Sequence, residues 1–394
     1  MRYVSMGEVP LKRHTQVRDE DGGRLLVEEV MGYEGFSGNE SILLHLHSPC
    51  DVAEVGSFEP IALEEWVPDA HVHRLTDSAP LAPAGDPVFG RRVVMFNDDV
   101  EIAICKPSQD LDAFYRNGEG DEVLFVHEGS GVVETIFGTL AYRPHDYLVI
   151  PRGTTYRVRC GDGPQTWLTF HTPGEIETPN RYRNRYGQLL EHAPFSQRDF
   201  HPPAILETHR DGGEHELIVR ARRGYQRFTL HHHPFDVVGW DGYVYPYTFN
   251  IADFEPKSGR LHQPPTVHQT FQGPNFVICS FCPRNLDWDP LAVALPYHHS
   301  NLQSEELIYY VEGEFSSRAG VGTGALTLHP SGLPHGPQPG LVERSLGVTR
   351  TEELAVMCDT FRPLRLTTLA RQLDDPAYAP VSYTHLTLPT IYSV

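Results

Sequence analysis

Short apolar runs, broken at close intervals by glycine, proline or aspartate, are the feature that most limits how this chain can fold. From residue 91 onward they follow one another as RRVVMF, VEIAICKP, EVLFVHEG, GVVETIFG, YLVIPRG, TYRVRC and TWLTFH. Each run is short for a helix and rich in β-branched and aromatic residues, which favour strands. Many such strands separated by turn residues predict a β-sandwich or a barrel.

The length of 394 residues is sufficient for two domains with separate cores. We predict an N-terminal arm and β domain over residues 1–175, a bridging segment over 176–228, a second β domain over 229–372 and a tail over 373–394. The residues from 381 onward continue no pattern of the preceding chain. A closing helix is predicted in the segment FRPLRLTTLARQLDDP.

Charge and hydropathy exclude several classes of partner. The formal net charge is −20, which argues against nucleic acid because phosphate binding needs a compensating basic surface. No apolar run reaches the ~18 residues of a membrane span, and the N-terminal segment lacks the apolar region of a secretory signal. The six cysteines are sparse, as expected for reduced thiols. We therefore expect a cytoplasmic protein with no membrane or nucleic-acid partner.

Two half-motifs between Leu295 and Pro337 fit one metal site. In the first, His299 is followed by Asn301 and Glu305 and then by an alternating apolar run, which predicts a histidine and a carboxylate on a strand. In the second, a P-x-G-x-x-H sequence ends at His335, after another short strand. Two imidazoles and one carboxylate are the facial ligand set of non-haem Fe(II) enzymes.

Other polar clusters receive a structural interpretation. Contiguous histidines at 231–233 point in opposite directions on an extended chain, so a surface or turn role is favoured over metal binding. The C-x-x-C of Cys279 and Cys282 lies in an apolar run without a partner pair, which favours strand packing. Glu305 is adjacent to Glu306, and on a strand the two side chains face opposite sides, so one of them can line an interior.

The half-motifs resemble the paired signature of the cupin superfamily, H-x-H-x-x-x-E and P-x-G-x-x-H, with Asn301 in the place of the second histidine. The resemblance implies an all-β dominated bicupin with two jelly-roll barrels, short helices and arms. An earlier stretch repeats the spacing in outline but carries Tyr156 at the distal histidine position, and Arg116 and Gly118 precede Glu122 where histidines are expected. This pattern predicts an internal duplication with a metal-free first copy.

Longer segments resemble the homogentisate 1,2-dioxygenase family from about residue 8 to about residue 372. They are KRHTQ, EEVMGYEGFS, FYRNGEGDEVLFVHEGSG, HPFDVVGWDG, YPYTFN, PYHHSN and LHPSGLPHGP. The resemblance implies that His299, Glu305 and His335 bind Fe(2+), that His262 moves a proton of the substrate hydroxyl, and that His329 lies close to the iron. It also implies cleavage of homogentisate by O2 to maleylacetoacetate in tyrosine and phenylalanine catabolism, by a trimer or hexamer.

Two departures from the family pattern bear on the substrate. Asp241 stands where the family has histidine, and Phe315 stands where it has a tyrosine near the substrate carboxylate. A phenyl ring cannot donate that hydrogen bond, so Tyr309, Tyr310 or Arg318 replaces it, or the substrate differs. The alternatives are a cupin dioxygenase or isomerase acting on another hydroxylated aromatic acid, and a non-catalytic binding protein.

Overall fold

A computed structural model describes residues 2–19, 22–260, 263–313 and 320–383. The chain divides into two compact units. The first comprises the described residues up to Leu63, with Ala82–Arg92 and Val100–Asp253. The second comprises Glu64–Leu81, Val93–Asp99 and the described residues from Phe254. Strands dominate both units, as the sequence predicts.

Strands account for most of the regular secondary structure in the described residues. The first fifteen are β1 (Val4–Gly7), β2 (Val27–Gly32), β3 (Glu40–His45), β4 (Val52–Pro60), β5 (Glu65–Trp66), β6 (Arg74–Asp77), β7 (Arg91–Phe96), β8 (Glu101–Cys105), β9 (Leu111–Asn117), β10 (Asp121–Glu128), β11 (Gly131–Thr135), β12 (Gly138–Tyr142), β13 (Asp146–Ile150), β14 (Thr155–Cys160) and β15 (Thr166–Thr172). The others are β16 (Gly212–Ala221), β17 (Gly224–His232), β18 (Val237–Gly242), β19 (Tyr247–Asn250), β20 (Gln269–Gly273), β21 (Phe276–Phe281), β22 (Arg284–Asn285), β23 (His299–Ser300), β24 (Glu305–Glu312), β25 (Ala325–His329), β26 (Pro334–His335), β27 (Arg350–Thr351), β28 (Leu354–Thr360) and β29 (Arg365–Thr367).

The first unit contains three sets of paired strands, in the orders β1-β18-β3-β2, β19-β13-β10-β15-β8 and β12-β11-β14-β9-β16-β17-β4. The seven runs quoted from residue 91 onward all form strands, which confirms the β prediction for them. Apolar side chains from several of these strands form one core around Trp167 and Tyr115, both fully buried. Burial of such large side chains is the main stabilising contribution expected for strands of this length.

The boundary between the units differs from the expected boundary at residue 229. The hairpin of β16 and β17 pairs with β9 and β4, and β18 and β19 pair with β1, β3 and β13. Residues 176–253 therefore belong to the first unit, and the segment 176–228 is not a separate bridge. Backbone pairing with strands distant in the sequence decides this boundary, and composition does not report such pairing.

The second unit is organised around a six-stranded sheet in the order β20-β21-β28-β24-β25-β6. Two short pairs, β22-β27 and β23-β26, accompany it. In addition, β29 pairs with β5 and with residues 95–96 of β7. Strand β6 comes from the early part of the chain, and its register with β25 places Arg74 opposite Leu328.

Helical structure is brief. The α-helices of the described residues are α1 (Leu341–Ser345), α2 (Thr368–Leu373) and α3 (Tyr378–Tyr383), and 3₁₀ turns occur at Asn180–Tyr182, Gln197–Asp199, Ile251–Asp253 and Pro265–His268. The predicted closing helix is α2, whose first turn is capped by the Thr367 hydroxyl accepting the Ala370 N–H at 3.2 Å. Within the described part of the chain, no helix is both long and apolar enough to cross a membrane.

Candidate metal centre

Strand pairing in the second unit brings five polar side chains together. In the antiparallel sheet, Glu306 of β24 lies opposite His329 of β25 and opposite Asp359 of β28. Side chains of directly opposed residues project from the same face of a sheet. The two-residue pair β23-β26 places His299 opposite His335. Residues separated by up to 60 positions thereby face one point.

The imidazoles of His299 and His335 and the carboxylate of Glu306 form a compact group. Their ligand atoms all lie within 4.8 Å of one another. Glu306 Oε2 lies 3.6 Å from His335 Nε2 and 3.8 Å from His299 Nε2. The other carboxylate oxygen, Oε1, accepts a hydrogen bond from His329 Nδ1 at 2.8 Å. Glu306 therefore presents Oε2 to the two histidines while His329 holds Oε1.

The donor set fits a bound cation. His335 Nδ1 donates to the Leu333 carbonyl at 3.3 Å, so a neutral imidazole carries its lone pair on Nε2. Among the described residues, Nε2 of His335 is buried and has no hydrogen-bond partner. An imidazole lone pair and a carboxylate oxygen, both acceptors, thus face each other at 3.6 Å. A cation between them would satisfy both, and metal–ligand bonds of ~2.0–2.2 Å suit such a separation.

The charges of this group are strongly coupled. Burial raises the pKa of Glu306, but the imidazoles of His299, His329 and His335 outweigh it and hold the pKa well below its usual value. The pKa of His299 is raised, chiefly by its interaction with Glu306. Asp359 behaves in the opposite way, since burial and then the charge of Glu306 raise its pKa well above the usual value. The imidazoles therefore favour the ionised form of Glu306, whereas burial and the charge of Glu306 favour the neutral form of Asp359.

Glu305, the carboxylate expected as a metal ligand, is not part of this group. Its side chain lies on the opposite face of β24, and Oε2 accepts the backbone N–H of Leu364 at 2.7 Å. Adjacent residues of a strand face opposite sides, so the two glutamates cannot both reach the histidines. The structure places Glu306 there instead. The apolar residues of β24 are buried on both faces, so the sequence carries no signal for which glutamate faces inward.

The other residues singled out from the sequence have different locations. His329 lies beside Glu306, to which it is hydrogen-bonded. His262, Phe315 and Arg318 lie outside the described residues. Asp241 belongs to the first unit, where it accepts a hydrogen bond from the Tyr3 hydroxyl at 2.7 Å.

Sequence reasoning missed two residues of the centre, His73 and Asp359. His73 is buried, and its ring lies edge-on to His329, with 5.3 Å between ring centroids. It directly precedes β6, whose pairing with β25 brings it there. His71 and His73 in the run DAHVHRLTD lie far in the sequence from the other histidines of the centre, so the run gives no signal of this role. Asp359 belongs to the apolar strand β28, and only the pairing of that strand with β24 reveals that Asp359 lies opposite Glu306.

A cavity of about 590 Å³ adjoins the centre. His299, Glu306 and His335 form part of its wall. The residues of β24 on the face of Glu306, namely Ile308 and Tyr310, also line it. Cavities of ~300–1,000 Å³ with mostly apolar walls and a few polar groups are typical of small-molecule sites.

In the first unit, the glutamate that the sequence pattern singles out, Glu122, pairs with an arginine. Buried Glu122 accepts hydrogen bonds from Arg91 Nη1 at 2.7 Å, from the Tyr156 hydroxyl at 2.5 Å and from Asn117 Nδ2 at 3.0 Å. Burial opposes ionisation, but Arg91 and these hydrogen bonds lower the pKa of Glu122 to about 2. The guanidinium of Arg91 thus compensates the charge of the buried carboxylate.

Two further histidine groups of the first unit have ligand-like spacing. They are His47, His232 and Asp236, and His209, Asp211 and His233. His232 and His233 are buried, so the expected surface role for the histidine run holds only for exposed His231. Asp236 already accepts hydrogen bonds from His45 Nδ1 and from the His47 backbone N–H, both at 2.8 Å. Hydrogen bonding accounts for the first of these groups without a metal.

Two histidines and one carboxylate beside a cavity in a β-rich protein form a donor set that suits a non-haem metal ion. The sequence model described as Homogentisate 1,2-dioxygenase N-terminal matches residues 88–251. A Saccharolobus solfataricus protein that is named as a dioxygenase is 39% identical over 384 residues. The match covers 97% of this chain and 98% of that protein. The chain belongs to the homogentisate 1,2-dioxygenase family, whose members are oxidoreductases.

More distant relatives include two homogentisate 1,2-dioxygenases. That of Rhodopseudomonas palustris is 28% identical over 284 residues, which cover 67% of this chain and 61% of the relative. That of Emericella nidulans is 27% identical over 297 residues, covering 71% and 61% respectively. The chain thus spans less than two thirds of the length of these two enzymes. A cupin barrel protein of Leptotrichia buccalis matches 76% of this chain and 100% of its own length at 11% identity. The TM-score of 0.33 is too low to equate the two folds.

Proposed function

We propose that this protein is an Fe(2+)-dependent ring-cleaving dioxygenase that converts homogentisate and O2 to maleylacetoacetate. The observation that carries the proposal is the group of His299, Glu306 and His335 on the wall of a cavity of about 590 Å³. Membership of the homogentisate 1,2-dioxygenase family supports the substrate class.

The proposed iron ligands are His299, Glu306 and His335. Ferrous iron held by two imidazoles and one carboxylate supplies adjacent open coordination positions and one-electron chemistry, which triplet O2 needs in order to react with a singlet aromatic ring. His329 fixes the ligand carboxylate through its 2.8 Å hydrogen bond to Oε1, so that Oε2 stays directed at the two histidines. A partner of this kind orients a ligand before substrate arrives.

Other residues prepare the substrate. A phenolic oxygen is the better ligand as phenolate, so a nearby base that accepts its proton aids binding. His262 is the base implied by the family resemblance, and it lies outside the described residues. The side chains of Ile308 and Met357 line the cavity and exclude water from the space in which the ring binds.

The family resemblance supplies the cellular setting of this proposal. We place the reaction in tyrosine and phenylalanine catabolism, in the cytoplasm, and in a homo-oligomer that is a trimer or a hexamer. A two-barrel bicupin arrangement is proposed on the same basis, with the Arg91–Glu122 pair marking the metal-free copy.

A second candidate is a cupin dioxygenase or isomerase that acts on another hydroxylated aromatic acid. The two departures from the family pattern, Asp241 and Phe315, favour it, because a phenyl ring cannot donate the hydrogen bond that the family tyrosine gives to the substrate carboxylate. The metal separates the two chemistries, since activity without O2 when Mn or Zn is loaded indicates an isomerase.

The test is anaerobic reconstitution of the purified protein with Fe(2+), followed by O2-uptake measurement with homogentisate and related hydroquinone acids. We expect iron-dependent O2 uptake and the absorbance of maleylacetoacetate with homogentisate. Metal-free protein and Glu306→Gln protein are the controls, and both should be inactive. Absence of iron-dependent O2 uptake with every acid tested would contradict the proposal.

A further inference from the structure

The charged side chains on the cavity wall are unevenly distributed. Asp287, Glu306 and Glu353 contribute carboxylates, whereas Arg284 is the one arginine, and no lysine occurs, among the described residues that line the cavity. An aromatic acid enters this cavity as an anion. Apart from a metal ion and the histidines, Arg284 is therefore the group on this wall able to pair with its carboxylate.

The donors of Arg284 are only partly used. Its Nε donates to Gln263 Oε1 at 3.0 Å, and Nη1 donates to the Cys282 carbonyl at 3.0 Å. Glu353 Oε1 lies 3.5 Å from Nη2, longer than the ~2.7–2.9 Å of a strong charge-assisted bond. A guanidinium has five N–H donors, so at least two remain after its contacts with the described residues.

The position of Arg284 is well defined. It begins β22, which pairs with β27, and its guanidinium lies over the ring of Phe281 at 5.5 Å. Its side chain is only 10% exposed. A fork held on three sides keeps its remaining donors in one orientation, which reduces the entropy lost when a carboxylate binds.

Two alternatives to Arg284 for this role are less well placed. Tyr309 is fully buried and lies on the face of β24 opposite to Glu306. Tyr310 lines the cavity, but its hydroxyl is hydrogen-bonded to Thr327 Oγ1 at 3.0 Å. Phe315 has no donor with which to replace the tyrosine of the family.

We propose that Arg284 is the specificity-determining residue that binds the carboxylate of the aromatic acid, and that Glu353 is the counter-ion displaced when this carboxylate arrives. The proposal rests on the proposed function, because it takes the substrate to be an aromatic acid. It assigns a substrate-binding role to an arginine that the sequence motifs do not mark. The cavity is large enough for a ring together with a carboxylate-bearing arm.

The experiment is an anaerobic calorimetric titration of the Fe(2+)-loaded protein with homogentisate and, separately, with its neutral methyl ester. We expect wild type to prefer the acid. Arg284→Gln should weaken acid binding by about 10- to 100-fold, the cost of a lost hydrogen bond to a charged group, and should change ester binding by less than about twofold. Glu353→Gln should strengthen acid binding.

Two further variants keep the result interpretable. Arg284→Lys retains the charge without the planar fork and should retain part of the acid preference. Arg371→Gln removes one exposed positive charge of the same unit and should bind both ligands as wild type does. A melting curve for each variant identifies any that is misfolded, in which case the lysine variant carries the comparison.

The outcomes separate this inference from the proposed function. Equal weakening of acid and ester in Arg284→Gln assigns Arg284 a purely structural role and overturns the inference, and so does a wild type without preference for the acid. Acid binding that depends on Arg284 in a protein that consumes no O2 upholds the inference and overturns only the dioxygenase proposal.

Discussion

Glu306 is the residue on which the candidate centre depends. It is buried, it accepts a hydrogen bond from His329, and its second oxygen faces two imidazoles at 3.6 and 3.8 Å. Its neighbour Glu305 is equally buried but bonds to the backbone of Leu364. Two adjacent glutamates with similar exposure thus have separate roles because of strand geometry alone.

Because only Glu306 faces the histidines, we expect the same substitution at the two glutamates to have different effects on iron binding. Glu306→Gln removes the anionic ligand and should weaken Fe(2+) binding by more than the ~10- to 100-fold that loss of an outer partner costs. Glu305→Gln retains an acceptor for the Leu364 N–H and should bind iron as wild type does, with a stability loss of at most about 1–2 kcal/mol. Metal analysis after dialysis against a weak chelator, together with thermal unfolding, measures both.

The reverse result, iron lost from Glu305→Gln and kept by Glu306→Gln, would assign the ligand to Glu305, as the family resemblance implies. It would also mean that β24 has the other register in the metal-bound protein.

At the level of elements, a strand in each unit carries a buried glutamate, and the two glutamates have different partners. β24 presents Glu306 to histidines, whereas β10 presents Glu122 to Arg91 and Tyr156. The ion pair is buried, with side-chain exposures of 10% for Arg91 and 0% for Glu122. A buried pair contributes little compared with apolar packing, but removal of one partner leaves an uncompensated charge.

Arg91→Met should therefore destabilise the first unit by about 3–5 kcal/mol. Urea unfolding at pH 7 measures this loss. The double variant Arg91→Met/Glu122→Leu should recover most of it, because no charge then remains buried. Arg143→Met removes an arginine whose side chain is 69% exposed and should have little effect. If Arg91→Met were as stable as wild type, burial of the Glu122 carboxylate would not require the charge of Arg91.

At the scale of the whole molecule, stability should depend on buried neutral histidines. His171 in the first unit and His268 in the second are 9% and 0% exposed. Burial, aided by Arg220, lowers the pKa of His171 to about 3. Burial, aided by Arg284, lowers the pKa of His268 to about 3.

The sign of the effect follows from these pKa values. The unfolded chain binds a proton near the ordinary pKa of ~6.5, before the folded chain does, so stability falls as pH decreases from about 6.5 towards 3. Each histidine contributes at most ~1.4 kcal/mol per pH unit. Asp121 acts in the opposite direction, because burial raises its pKa to about 6.

Because the titration of Asp121 opposes that of the two histidines, the pH dependence of each histidine variant is compared with that of the wild-type protein. His171→Gln and His268→Gln should each show a shallower loss of melting temperature between pH 7 and pH 5. His231→Gln, at an exposed position, should match the wild-type slope. A slope unchanged in both buried-site variants would show that neither histidine titrates in this range.

Much of the local structure and all the ligand types could be predicted from the sequence. The alternating runs form strands, the segment after Cys358 contains α2, and His299, His329 and His335 lie together. These features are local, because strand periodicity and turn residues are properties of a few consecutive positions. The residue types also restrict the chemistry, since imidazole and carboxylate together suit a non-haem metal.

Tertiary structure alone decided which glutamate joins the histidines, where the first unit ends, and that His73, Asp359 and Arg284 border the same site. β24 is apolar on both faces, so its alternation leaves the inward face undetermined. The contacts of His73 and Asp359 depend on pairing between strands distant in the sequence. A hydropathy pattern indicates which positions of a strand are buried. The register of the paired strands determines which residues those buried side chains contact.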